Sequence, residues 1–313
     1  MQFVKFVKNE TIKIWAKKSA WVMLAFVLLV VALFLGLNKY FNIDQSTPEL
    51  REEANKDWLL EYKAQLNVPN ISEEDKQYYN EQILMTEYRI ANDLPVEDNM
   101  SFYDVLDLVL EVILSLVGIF TMVIAASIVS NEFGTGTIKM LLTRPVARWK
   151  ILLSKLVASL LYGATLFVVT TIIAMIAMYF LFTGDVTLSV VNGQVVEQAV
   201  ETHYVQTILL NAASIFMTIL FAFMLGSIFG SSTLAVSLSL GLLFMGSTVT
   251  MFIAKYNFAK YIWFANDLTQ FGPNMMPIIP GLTFNFALVI NIIYAMIFLA
   301  VSFTYFIRRD VTA

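Results

Sequence analysis

Long uncharged apolar runs along this chain alternate with shorter polar stretches. As helices, runs of about 20 residues reach across a ~30 Å hydrocarbon core. Six are read as spans: 19–37, 105–130, 151–182, 205–229, 232–254 and 284–307. The first is expected to be retained, because Ala20 to Leu37 exceeds a typical signal-peptide core and no Ala-x-Ala site follows.

The connections differ in character. In residues 1–18, Phe3, Val4, Val7, Ile14 and Trp15 fall within about 120° of a helical wheel, with Lys5, Lys8, Lys13 and Lys17 elsewhere. That pattern predicts an amphipathic helix in the membrane interface, its lysines near anionic lipid headgroups. Residues 38–104 form the one sizeable polar segment. Thr47-Pro48-Glu49 and Ser72-Glu73-Glu74-Asp75 read as helix starts, predicting a helical hairpin over about 48–66 and 73–92. Residues 183–204 are read as a loop. Residues 255–283 are apolar but broken by Pro273, Pro277 and Pro280, which predicts a re-entrant or interfacial pair of short helices.

Composition agrees. Of 313 residues, 58% are hydrophobic and 14% charged, more apolar surface than a soluble domain hides. The expected fold is an all-α polytopic membrane protein. Lysines and arginines gather before the first span, in 131–150 and in the tail 308–313. The positive-inside rule places these segments and both termini in the cytoplasm, with 38–104, 183–204 and 255–283 outside the cell membrane. Residues 38–104 carry fifteen acidic against six basic side chains, a solvated cap or a surface that captures cationic ligands.

Candidate chemistry is sparse. There is no cysteine, and the one histidine, His203, has no partner for metal or triad chemistry; it is read as a loop residue. No metal site is expected. Asp104, Asp107 and Glu111 share one helix face, with Glu111 about two turns from the outer end. A carboxylate at that depth marks a functional candidate or a shallow group reaching the surface. Gly226 and Gly230 form a GxxxG pattern that would let the fourth and fifth spans approach closely. No phosphate loop, nucleophile elbow or HExxH motif occurs, so the chain is read as non-catalytic and driven from outside. No nucleic-acid partner is expected.

Residues 131–148, NEFGTGTIKMLLTRPVAR, interrupt two spans. Gly134 and Gly136 permit a sharp exit from a helix. Thr135 or Thr137 caps a short new helix with the apolar face Ile138, Leu141 and Leu142, and Arg144-Pro145 stops it. Arg148, Trp149 and Lys150 lead back to the bilayer, with Trp149 suited to the interface. A short helix parallel to the membrane, with an apolar ridge and charged flanks, suits docking to a soluble partner.

With Glu132, Gly134, Thr135, Leu141, Leu142, Pro145, Arg148 and Lys155, this stretch resembles the second-to-third helix connection of permease subunits of type-2 ABC (ATP-binding cassette) transporters. It is most similar to the branch of bacterial bacitracin and lantibiotic self-protection exporters. The resemblance implies that 134–143 form a coupling helix docked in an ATPase subunit. It further implies two ATPases and a second permease, identical or paralogous. ATP and Mg would be bound by the ATPase, with no cofactor in this chain. Asp107 and Glu111 would lie near the outer mouth of the permease dimer interface. The implied function is export, with a cationic peptide or amphiphile as the favoured cargo. A sensor complex using the same ATPase, or an ion-coupled carrier acting through Glu111, are the alternatives.

Overall fold

Apolar side chains face outward along the longest helices. In the last helix, Val289, Ile292, Met296 and Ile307 are exposed while Asn291, Ser302 and Ala287 are buried. In water this arrangement would forfeit ~25 cal/mol per Å² of apolar surface; lipid removes that cost, and the small and polar groups pack between helices.

The computed structural model describes residues 2–41, 48–68, 71, 73–92, 94, 102–138, 146–181, 188–191, 193–197, 200–272, 277–279 and 281–309. Among them are helices α1 (Gln2–Trp15), α2 (Lys18–Phe41), α3 (Pro48–Leu66), α4 (Glu73–Ala91), α5 (Phe102–Gly134), α6 (Arg148–Leu181), α7 (Val200–Ile228), α8 (Ser232–Ile253) and α9 (Phe284–Arg308). Five are long and apolar enough to cross a membrane: Lys18–Tyr40, Leu108–Gly134, Arg148–Leu181, Val205–Ile228 and Phe284–Arg308. The stretch read as the fifth of six spans forms α8, a helix of 22 residues that is not among these five.

The chain divides into two compact units. One comprises Met1–Leu29, Val112–Thr171 and His203–Ala313. Here Gly226 of α7 lies against α5 so closely that a Cβ would stand 2.3 Å from the carbonyl oxygen of Ala126. The GxxxG glycine thus packs on the second span, whereas the sequence suggested the fifth. Several buried hydroxyls are satisfied by their own helices: Ser130 donates to the Ala126 carbonyl, Ser227 to that of Phe223 and Ser302 to that of Phe298. Between α8 and α9 the chain makes three 3-10 turns, Ala259–Tyr261, Trp263–Asn266 and Leu268–Phe271. Ala259, Ala265, Ile279 and Leu282 form their apolar core. Asn291 of α9 ties them down, its Nδ2 donating to the carbonyls of Asn266 and Ala287 while its Oδ1 accepts from Trp263 Nε1 at 3.2 Å. Of the prolines in this segment, Pro273 and Pro280 lie outside the described residues.

The other unit comprises Val30–Glu111 and Ile172–Thr202. α3 and α4 pack together, with Lys63 reaching Glu87 at 3.1 Å and Trp58, Tyr62 and Tyr79 forming a chain of ring contacts. The expected loop 183–204 is corrected here. Leu188–Val191 and Gln194–Glu197 pair antiparallel and pack on α4, so the described residues are helical with one β-hairpin. Gly193 takes the positive φ of 76° that the hairpin turn requires. His203, read as a loop residue, falls within α7.

Candidate functional site

The loop between α5 and α6 is held at both of its flanks. α5 ends at Gly134, where Gly136 adopts φ 71°, a left-handed geometry that costs glycine little. The Thr135 hydroxyl donates to the Asn131 carbonyl at 2.8 Å and lies 3.0 Å from the Thr137 hydroxyl. Ile138 is buried. Leu141, Leu142 and Pro145 lie outside the described residues, as does half of the expected coupling helix, 139–143.

On the upstream flank stands Glu132. Its Oε1 accepts from Lys155 Nζ at 2.6 Å. Lys155, two turns into α6, also donates to Glu10 Oε2 of α1 at 2.7 Å. Lys13 donates to Glu10 Oε1 at 2.6 Å and lies 3.6 Å from Glu132. Two carboxylates and two ammonium groups thus neutralise each other across three helices. The Lys155 side chain is only 1% exposed, a burial its paired charges make tolerable. Glu132 Oε2 is buried and has no hydrogen-bond partner among the described residues. Burial alone would raise the Glu10 carboxyl, but the charge of Lys155 and the hydrogen bond from Lys13 outweigh it and hold it below the ordinary value. Burial would lower Lys13, and the hydrogen bond and charge of Glu10, with Glu132 beyond, raise it. The cluster borders a cleft of about 510 Å³ whose walls include Lys17, Asn131 and Thr135.

The downstream flank is Arg148, the first residue of α6. Its Nη1 donates to the carbonyls of Ile307 and Arg309, at 3.1 and 3.2 Å, satisfying acceptors that the C-terminus of α9 leaves open. Arg309 donates to the Ile228 carbonyl at 3.3 Å, and its guanidinium lies 4.3 Å from the Phe133 ring centroid. A Cβ on Gly230 would come within 2.9 Å of that guanidinium, and one on Gly134 would touch the Gly230 carbonyl. The ends of α5, α6, α7 and α9 therefore meet around the loop.

Of the residues singled out in the sequence, Glu132 and Lys155 come together, Arg148 binds α9, and Gly134 meets Gly230. Glu111 is exposed on α5, in the other unit. Asp104 and Asp107 lie in the first turns of α5, and their side chains are outside the described residues. Sequence reasoning missed Glu10, Lys13 and Arg309. Glu10 had a signal: it is the lone acid among five lysines and sits at the edge of the apolar stripe of α1.

Comparison with known proteins places this geometry in a family. The model described as "Protein of unknown function (DUF2705)" matches residues 76–312, more than half of the chain. The chain belongs to the DUF2705 family. It is 37% identical to "Uncharacterized protein YhcI" of Bacillus subtilis (strain 168) over 321 aligned positions, covering 98% of this chain and 99% of that relative. It is also 33% identical to "Uncharacterized membrane protein YdbK" of the same organism over 197 positions, 61% of this chain and 76% of the relative. With five apolar helices and a membrane-protein relative, this DUF2705 member is a multi-pass membrane protein.

Proposed function

We propose that the chain is the membrane-spanning permease subunit of an ATP-binding cassette exporter, coupling ATP hydrolysis by a separate ATPase to movement of an amphiphilic cargo. α8 is the sixth crossing in this reading, and the clamped loop faces the cytoplasm beside both termini. One observation carries it. The loop that resembles a coupling element is fixed by Glu132 to Lys155 and α1 on one side and by Arg148 to the end of α9 on the other. A push on a loop so anchored passes into several helices at once, whereas a loose loop would absorb it.

The test is a mild-detergent pull-down from native membranes, comparing wild type with Leu142→Asp. Retention of an ATPase by wild type and its loss from the variant supports the reading. Absence of an ATPase from both overturns it.

The separate folded unit built on α3, α4 and the β-hairpin favours a second reading, a sensor that signals through the same ATPase. Substrate flux in reconstituted vesicles separates the two: ATP-dependent flux supports the exporter, and ATPase stimulation without flux supports the sensor.

A further inference from the structure

Under the 3-10 turns, between α7, α8 and α9, lies a cavity of about 300 Å³. Ser214 and Thr218 of α7, Leu243 of α8 and Asn291 of α9 line it from the helices, and Trp263, Phe264 and Asp267 line it from the turns. Asp267 is the single charged side chain among the described lining residues.

The chemistry of the walls is one-sided. The Trp263 N–H is occupied by Asn291, and both Asn291 N–H groups go to carbonyls. Gln270, also on the wall, accepts from Ile278 N at 2.9 Å and donates to the Ala265 carbonyl at 3.4 Å. The Thr218 hydroxyl donates to Ser214. An anion entering would find no positively charged group among the described lining residues. A cation would find a carboxylate and two aromatic rings. Asp267 Oδ1 accepts from Thr269 N at 3.1 Å, and no ion pair to Asp267 exists among the described residues.

We infer that this cavity binds an organic cation, an ammonium head group bearing apolar or aromatic substituents. The carboxylate supplies the counter-charge, Trp263 and Phe264 supply negative ring faces, and Leu243 with Met217 receives the apolar remainder. The volume lies at the lower edge of small-ligand sites, so it holds a head group or one side chain, not a whole peptide. A fully hydrated inorganic ion gains little here, because one carboxylate among aromatic walls replaces few of its water ligands.

The inference names a cargo class for the export reading, but its test needs neither an ATPase nor flux. The purified full chain in nanodiscs is titrated by calorimetry with benzyltrimethylammonium and with its neutral isostere neopentylbenzene. Tighter binding of the cation is expected. Asp267→Asn, which keeps the cap on Thr269, should weaken the cation tenfold or more and leave the isostere unchanged. Phe264→Leu should weaken the cation several-fold. Equal binding of cation and isostere, unchanged binding by Asp267→Asn, or no cation binding at all would each overturn the inference. A failed pull-down counts against the ATPase reading alone.

Discussion

Lys155 and Glu10 stand 145 positions apart in the chain and meet at 2.7 Å. With Glu132 on the same ammonium, this contact fixes the amphipathic helix α1 to the roots of α5 and α6. Because the lysine is buried, its removal leaves two carboxylates close together with only the half-exposed Lys13 between them. Lys155→Met should destabilise the protein by about 3–5 kcal/mol. Adding Glu10→Gln and Glu132→Gln to that variant should restore most of the loss. Thermal unfolding in nanodiscs reads both; a triple variant no better than Lys155→Met would refute the charge argument.

Acid should loosen α1 before base does. The folded-state value of Glu10 is depressed, so its contribution is complete above the unfolded value of about 4.3 and is lost as pH falls through the folded one. Lys13 is raised, so its contribution holds below about 10.4 and is lost only as pH climbs through its higher folded value. Trp15 packs 5.2 Å from Tyr162 and reports the docking. In a variant retaining only that tryptophan, its emission should stay constant from pH 6 to 8 and change below the carboxylate range.

Close approach of helices predicts a sharp contrast between two glycines. Gly226→Ala places a methyl 2.3 Å from the Ala126 carbonyl, and backbone cannot swing aside. We expect a loss of about 1–3 kcal/mol. Gly241→Ala meets nothing within 4 Å and should be neutral or slightly stabilising. Parallel melting curves check the pair.

One buried amide makes two of the hydrogen bonds that hold the 3-10 segment. Asn291→Leu leaves the Trp263 N–H and the Asn266 carbonyl without their partners, each worth about 1–3 kcal/mol. Limited proteolysis should then cut within 255–283 well before wild type is cut, while α5 and α6 stay protected.

Much of the bundle was legible because a lipid-crossing helix is written in uncharged length alone, as in Phe284–Arg308. The exit at Gly134–Gly136 was legible for a similar reason, since positive φ is a local property of glycine. The β-hairpin had its own local signal, Asn192-Gly193 between valine-rich runs, and a reading tuned to spans passed over it. The ion cluster was not legible in the same way. Lys155 stood out only as part of a motif at the coupling stretch, and only a fold that brings positions 10, 132 and 155 together shows it to be internal. Arg309 likewise read as a tail charge until Phe133 and Ile228 were found around it.

The contact of Gly226 with Ala126 also sets a mechanical ratio. Were α7 to tilt about this contact as a fulcrum, its two ends would move by different amounts. Leu210, beside Leu268 of the 3-10 segment, lies about 24 Å up α7 from that fulcrum at 1.5 Å per residue. A tilt of about 5° at the crossing would carry Leu210 about 2 Å. Ile228, bound by Arg309 about 3 Å from the fulcrum, would hardly move. The short arm ends beside the clamped loop and the long arm runs to the 3-10 turns, so such a tilt would displace the aromatic cavity's end of α7 more than the loop's.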